Sequence, residues 1–149
     1  MCSSDLPTVY GPGDSFAEDS HVMGALIGKF VRAADEGQPV VEVWGDGTQE
    51  REFLFVDDAV DGVLTAAART DALVHNLGVG TAHRIAEIAT IIAELSGFRG
   101  EIRFATDRFT GVRKRLLDVR AMTENVGWRA RTPLREGIRQ SIEWYRAHR

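Results

Sequence analysis

Residues 40–58 constrain the fold more tightly than any other stretch. Apolar and polar side chains alternate from Val40 to Trp44, the pattern breaks at Gly45-Asp46-Gly47, and an apolar run resumes at Phe53-Leu54-Phe55-Val56 before stopping at Asp57-Asp58. Alternation with a period of two marks a strand, glycines flanking an aspartate mark a turn, and an acidic pair ahead of helically spaced apolar residues marks a helix start. A chain that runs strand, turn, strand, helix start over so short a distance belongs to a mixed α/β architecture. The same turn delivers Trp44 and Arg51 to neighbouring strand ends. An aromatic plate beside a guanidinium suits a planar, anionic ligand such as a nucleoside diphosphate. A surface hairpin with one half-buried Trp and one solvated Arg also fits the spacing.

Length and charge narrow the class. At 149 residues, 44% hydrophobic and 27% charged, the chain has the make-up of one soluble globular domain. A net charge of −4 argues against nucleic acid or an anionic membrane as the main partner. No apolar run approaches the roughly 20 residues of a membrane span and no signal peptide is visible, so a cytoplasmic location is expected. The single Cys2 excludes an intrachain disulfide and a cysteine zinc cluster, and no metal site is expected.

Along the chain, Val9-Tyr10 reads as the tail of a strand and 11–18 as a loop. Asp19 or Ser20 is expected to cap a helix from His21 to Asp35, with Val22, Leu26, Phe30 and Ala34 at helical spacing and Gly37, then Pro39, as the stop. Gly24 and Gly28, one turn apart, would permit another backbone to approach closely. Asp57 and Asp58 read as capping and dipole-complementing acids for a helix carrying Val60, Val63, Leu64 and Ala67, not as a catalytic carboxylate pair. Leu73–Leu77 reads as a short strand, Arg84–Ser96 as a helix with Ile85, Ile88, Ile92 and Leu95 on one face, and Glu101–Phe104 as a strand. Val119–Val126 should be a short helix and Gly127-Trp128 a turn with an anchoring indole. Thr132 should cap a terminal helix that begins at Pro133 and buries Leu134, Ile138, Ile142 and Tyr145.

Several of these segments occur together in one known family. Val9-Tyr10-Gly11-Pro12, Asp19-Ser20-His21-Val22, Trp44 to Asp58, Asn76-Leu77-Gly78, Arg113 to Asp118 and Gly127-Trp128 resemble, in order, the later part of the extended short-chain dehydrogenase/reductases, most closely their GDP-L-fucose synthase branch. The resemblance implies an α/β fold: the C-terminal substrate-binding portion of such an enzyme with a remnant of its Rossmann sheet, the N-terminal cofactor-binding half missing. Residues 7–149 would form that portion. Residues 1–6 have no family counterpart and are expected to be an artefactual leader, since Cys2-Ser3-Ser4-Asp5-Leu6 is what the end of a sequencing adapter would encode.

For an intact enzyme the resemblance implies a homodimer that epimerises and reduces a GDP-linked 4-keto-6-deoxy sugar with NADP(H). His21 stands where the family carries the acid that protonates a sugar carbon, and an imidazole suits proton transfer near neutral pH. Asp19 replaces the usual Asn beside it. Lys29, Trp44, Arg51 and Arg115 match positions that hold the nucleotide sugar. Lys29 replaces an Arg and so offers a point charge in place of a fork. Arg108 matches another basic position. A glycine-rich dinucleotide turn and a Tyr-x-x-x-Lys pair are absent from the sequence: Tyr10 is followed four residues later by Asp14, and Tyr145 by Arg149. Another nucleotide-sugar epimerase or dehydratase, or a non-catalytic nucleotide-sugar-binding module, are the competing expectations.

Overall fold

The computed structural model describes residues 6–69, 75–107 and 111–149. Its organising element is a strand whose two halves serve different neighbours. β1 (Thr8–Tyr10) leads through a loop to α1 (Val22–Glu36), followed by β2 (Val40–Trp44), β3 (Glu50–Phe55), α2 (Val56–Arg69), β4 (Ala82–Arg84), α3 (Ile85–Ser96), β5 (Glu101–Ala105), β6 (Lys114–Arg115), a π-helical turn at Met122–Val126 and α4 (Leu134–His148). The second half of β3 pairs parallel with β1, Leu54 opposite Val9. Its first half pairs antiparallel with β4 and parallel with β6.

β2 does not pair with β3. It forms a separate parallel ladder with β5, Val40 opposite Glu101 through Trp44 opposite Ala105. The hairpin suggested by the glycine turn is therefore corrected: residues 45–49 hand the chain from one sheet to another. Apolar runs differ from alternating ones for a physical reason here. Phe53 and Phe55 face the main core, which α1, α3 and α4 cover with Phe30, Ile88, Ile92 and Ile138, whereas Leu54 faces a second core with Leu77, Met122 and Trp128. A strand covered on both faces needs no polar side.

Within α1, Met23, Ile27 and Phe30 are fully buried, and Gly37 closes the helix in the left-handed conformation at φ 66°. The expected cap is corrected. His21 holds the N-cap position without a side-chain cap, and the Ser20 hydroxyl instead donates to the Ala17 carbonyl at 2.7 Å. The two helix glycines do admit a backbone: a Cβ on Gly24 would lie 2.1 Å from the Ser15 carbonyl oxygen, and one on Gly28 2.2 Å from that of Phe16. The loop so held is clamped from outside by Phe16 stacked on Tyr145 and by Arg32, which donates to the Phe16 carbonyl and the Tyr145 hydroxyl.

The helix at α2 forms with the opposite face inward. Val60, Val63 and Leu64 are exposed, and Asp58, Ala59 and Gly62 are buried. A bare Gly62 lets Leu77 and Trp128 come closer than a side chain would permit, a Cβ there lying 2.4 Å from Leu77 Cδ1. Asp57 and Asp58 sit in the first turn, not ahead of it, where they still complement the positive helix end. Asp58 also accepts the Thr132 backbone N–H, so Thr132 does not cap α4; Pro133 holds that position and Leu134 is the first helical residue. Arg84, at the N-cap of α3, makes no side-chain cap. In the expected strand at 73–77, residues 73 and 74 lie outside the described residues and 75–77 are not strand, while β4 was not foreseen. Residues 1–5 likewise lie outside the described residues.

Trp128 is buried, and its indole N–H donates to an Asp61 carboxylate oxygen at 2.7 Å, joining the π-helical turn region to α2. Trp128→Phe removes that charge-assisted bond and is expected to lower stability by about 1.5–3 kcal/mol in urea unfolding. On α4, Arg139 and then Gln140 hold Glu136 down at about 2, against an ordinary 4.5. A carboxyl with a depressed folded pKa stabilises above its unfolded pKa and loses that contribution as pH falls through the folded value. The melting-temperature gap between wild type and Glu136→Gln should thus be open at pH 7 and close as the pH falls from 4.5 towards 2.

Candidate functional site

The handover from β2 to β3 places a cavity of about 300 Å³ against α1. Lys29 from α1, Trp44 at the end of β2 and Arg51 at the start of β3 all line it, with Glu18 and Ser20 from the glycine-clamped loop and Glu42 and Gln49 around them. The alternation of β2 points Glu42 and Trp44 to one side while Val41 and Val43 enter the core. Trp44 keeps 51% of its surface exposed, so the indole is a wall and not a core anchor. The Lys29 ammonium lies 5.3 Å from the indole centroid and donates to the Glu42 carbonyl at 3.4 Å, which fixes its long stem across the cavity.

Arg51 is half-buried. Its Nη1 donates to the Glu50 carbonyl at 2.9 Å, and burial first, then the like charge of Arg115, lowers its proton affinity. The second cause reports proximity, and the strand register explains it: Arg51 on β3 is the direct partner of Arg115 on β6. Two guanidiniums held side by side repel each other, and an anion placed between them relieves that repulsion. Lys114, next to Arg115, is engaged differently, in a 2.8 Å ion pair with Glu50.

Of the residues singled out from sequence, Lys29, Trp44 and Arg51 thus share one cavity, and Arg115 stands in register beside Arg51. His21 is exposed at the start of α1, between Ser20 and Val22, which line the cavity, but does not itself line it. Arg108 lies outside the described residues. Gln49 and Glu52 were missed. Gln49 is buried, and its amide donates to Asp46 Oδ1, the oxygen that also receives the Thr48 N–H and hydroxyl; the Asp-Gly-Thr spelling of the turn was the available signal. Glu52 had a fainter signal, a charge set inside an otherwise apolar strand.

None of the described residues builds a dinucleotide cradle. That cradle needs a strand running through close glycines straight into a helix. After β1 the chain takes Gly11-Pro12-Gly13 and a long loop before α1, and α2 and α3 follow β3 and β4 with no glycine between. Among the described residues there is no group of three or more His, Cys, Asp or Glu placed to hold a metal, and no helix is long and apolar enough to cross a membrane.

Comparison with known proteins agrees on the family. Residues 1–80 match the model of the "NAD dependent epimerase/dehydratase family". The chain is 38% identical over 145 residues to "Probable GDP-L-fucose synthase 1" of Oryza sativa subsp. japonica, covering 95% of this chain and 44% of that protein. The chain spans less than half the length of the curated relatives it matches. Its backbone matches the GDP-L-fucose synthetase of Naegleria fowleri with a TM-score of 0.89 over 97% of this chain and 45% of that one, at 24% identity, a likeness of fold. The UDP-glucose 4-epimerase of Thermotoga maritima, solved with UDP-glucose, matches with a TM-score of 0.83 at 28% identity, over 97% of this chain and 45% of that one.

Proposed function

Because the chain belongs to the NAD dependent epimerase/dehydratase family, we propose that it is the nucleotide-sugar-binding part of a GDP-L-fucose synthase-like enzyme. The observation that carries this reading is the convergence of Trp44, Lys29 and Arg51 on one cavity with Arg115 beside Arg51. Arg51 and Arg115 offer forked donors to two phosphates, Lys29 a third positive charge, and Trp44 an aromatic face. The α1 start adds the positive end of a helix dipole at the cavity rim. His21 stands at that same rim, where its imidazole would return a proton to a sugar carbon next to a carbonyl during epimerisation. NADP(H) would serve the reduction in an intact homodimeric enzyme. The described residues do not fit that cofactor, so it would be held elsewhere.

The nucleotide is the open chemical variable, and likeness to an enzyme solved with UDP-glucose favours keeping a UDP-sugar epimerase as the second reading. Calorimetry decides. GDP and GDP-mannose are expected to bind more tightly than the UDP and dTDP sugars. A preference for UDP-glucose would replace the first reading with the second, and binding of none of them would overturn both. His21→Gln, made in the corresponding full-length enzyme, is expected to leave nucleotide-sugar affinity within about twofold and to lower the epimerisation rate by about 10²–10⁴. Epimerisation, followed as solvent-deuterium incorporation into the sugar, checks this; an unchanged exchange rate would remove the acid role.

A further inference from the structure

Glu52 is the charged side chain that the site chemistry leaves unused, and it is buried to 2% exposure. Its Oε1 accepts the backbone N–H groups of Val79 at 2.6 Å and Gly80 at 2.7 Å, and its Oε2 accepts the Leu117 N–H at 2.9 Å. All three donors lie just outside the short ladders that β4 and β6 make with β3. A buried carboxylate is tolerated only when its oxygens are met in this way, and each such bond is stronger than a neutral one. Leu117 is two residues beyond Arg115. The anchor therefore fixes the chain just where it leaves β6, a strand of two residues.

β6 is otherwise held by a parallel ladder of two residue pairs with β3 and by two neighbouring contacts. The Glu50 N–H donates to the Arg113 carbonyl at 2.8 Å, and the Lys114–Glu50 ion pair is partly exposed, a class of pair that contributes little. Against these stands the repulsion between Arg51 and Arg115, which would swing an untethered β6 outward. We propose that Glu52 is a positioning residue: by holding Leu117 it keeps Arg115 in register beside Arg51, so that a diphosphate meets two guanidiniums already assembled. Assembly in advance spares the ligand the work of ordering a loop against like-charge repulsion. Gly78 guards the same device, because a Cβ there would lie 2.5 Å from Glu52 Oε1. The inference rests on the anion-binding part of the proposed function and not on the identity of the sugar or base.

Pyrophosphate isolates that part. Glu52→Gln, Glu52→Asp, Gly78→Ala and Arg115→Ala in the 149-residue chain, each checked for cooperative unfolding, would be titrated with pyrophosphate and with orthophosphate. Glu52→Gln and Gly78→Ala are expected to weaken pyrophosphate binding by about tenfold or more, equivalent to about 1.4 kcal/mol, and orthophosphate binding far less; Glu52→Asp should recover part of the loss. In the Arg115→Ala background Glu52→Gln should have no further effect, since the group it positions is gone. Equal losses for both anions, additive losses in the double variant, or full pyrophosphate affinity in folded Glu52→Gln would each overturn the proposal.

Should the Glu52 variants fail to fold, hydrogen exchange on the wild type decides: pyrophosphate must slow exchange at the Leu117 amide, and an unchanged rate overturns the proposal. Wild type that binds pyrophosphate but no nucleotide sugar would end the functional reading and leave the clamp intact. Binding of neither would end both.

Discussion

Arg51→Ala is expected to weaken nucleotide-sugar binding by about 3 kcal/mol, roughly a hundredfold or more in Kd. Arg51 is a partly desolvated cation on the cavity wall, with Arg115 opposite it in the β3–β6 register. Removing it deletes a forked donor and leaves any phosphate in the cavity facing fewer charges. Arg51→Lys should recover only part of the affinity, because an ammonium keeps the charge and loses the fork. Trp44→Ala should have a smaller effect on the diphosphate and a larger one on the base or sugar that the indole faces. Calorimetry with GDP-mannose over the wild type and these three variants separates the contributions. An Arg51→Ala chain that binds as tightly as wild type would show that the cavity is not the ligand site.

Gly24→Ala gives the second large effect, and its sign is the informative part. In an exposed helix interior, replacing glycine by alanine stabilises by about 1 kcal/mol. Here the added methyl would lie 2.1 Å from the Ser15 carbonyl oxygen, so either α1 or the 15–20 loop must move. Overpacking of this kind costs about 1–3 kcal/mol, and destabilisation by about 2 kcal/mol is expected in urea unfolding. Because the displaced loop carries Glu18 and Ser20 to the cavity, ligand affinity should fall together with stability. Gly37→Ala has no such neighbour and loses only the left-handed backbone of a helix end, so it should destabilise without touching affinity. A stabilised Gly24→Ala chain would contradict the close packing of α1 on the loop.

The particular residues show where sequence reading succeeds. Of Val22, Leu26, Phe30 and Ala34, which recur at helical spacing, Leu26 and Phe30 are buried in α1 and Val22 and Ala34 are partly buried. Glu101–Phe104 alternates and lies in β5. Lys29, Trp44 and Arg51 were named from residue type and family likeness, and they converge on one cavity. On α2 the same reasoning found the helix but not its inward face, because periodicity says that a helix has an apolar stripe and not what covers it. Glycine and alanine turned inward there because Leu77 and Trp128 needed the room.

By itself the sequence located the four α-helices and the strands β1, β2, β3 and β5, the family, and the chemical types gathered at the site, since each is written in residues close along the chain. Only the tertiary structure decided that β2 and β3 enter different sheets, that Arg115 stands beside Arg51, and that Glu52 is buried on three backbone donors. Those donors come from 27, 28 and 65 residues away. Contacts at such separations follow from how the elements pack, and no local pattern encodes them.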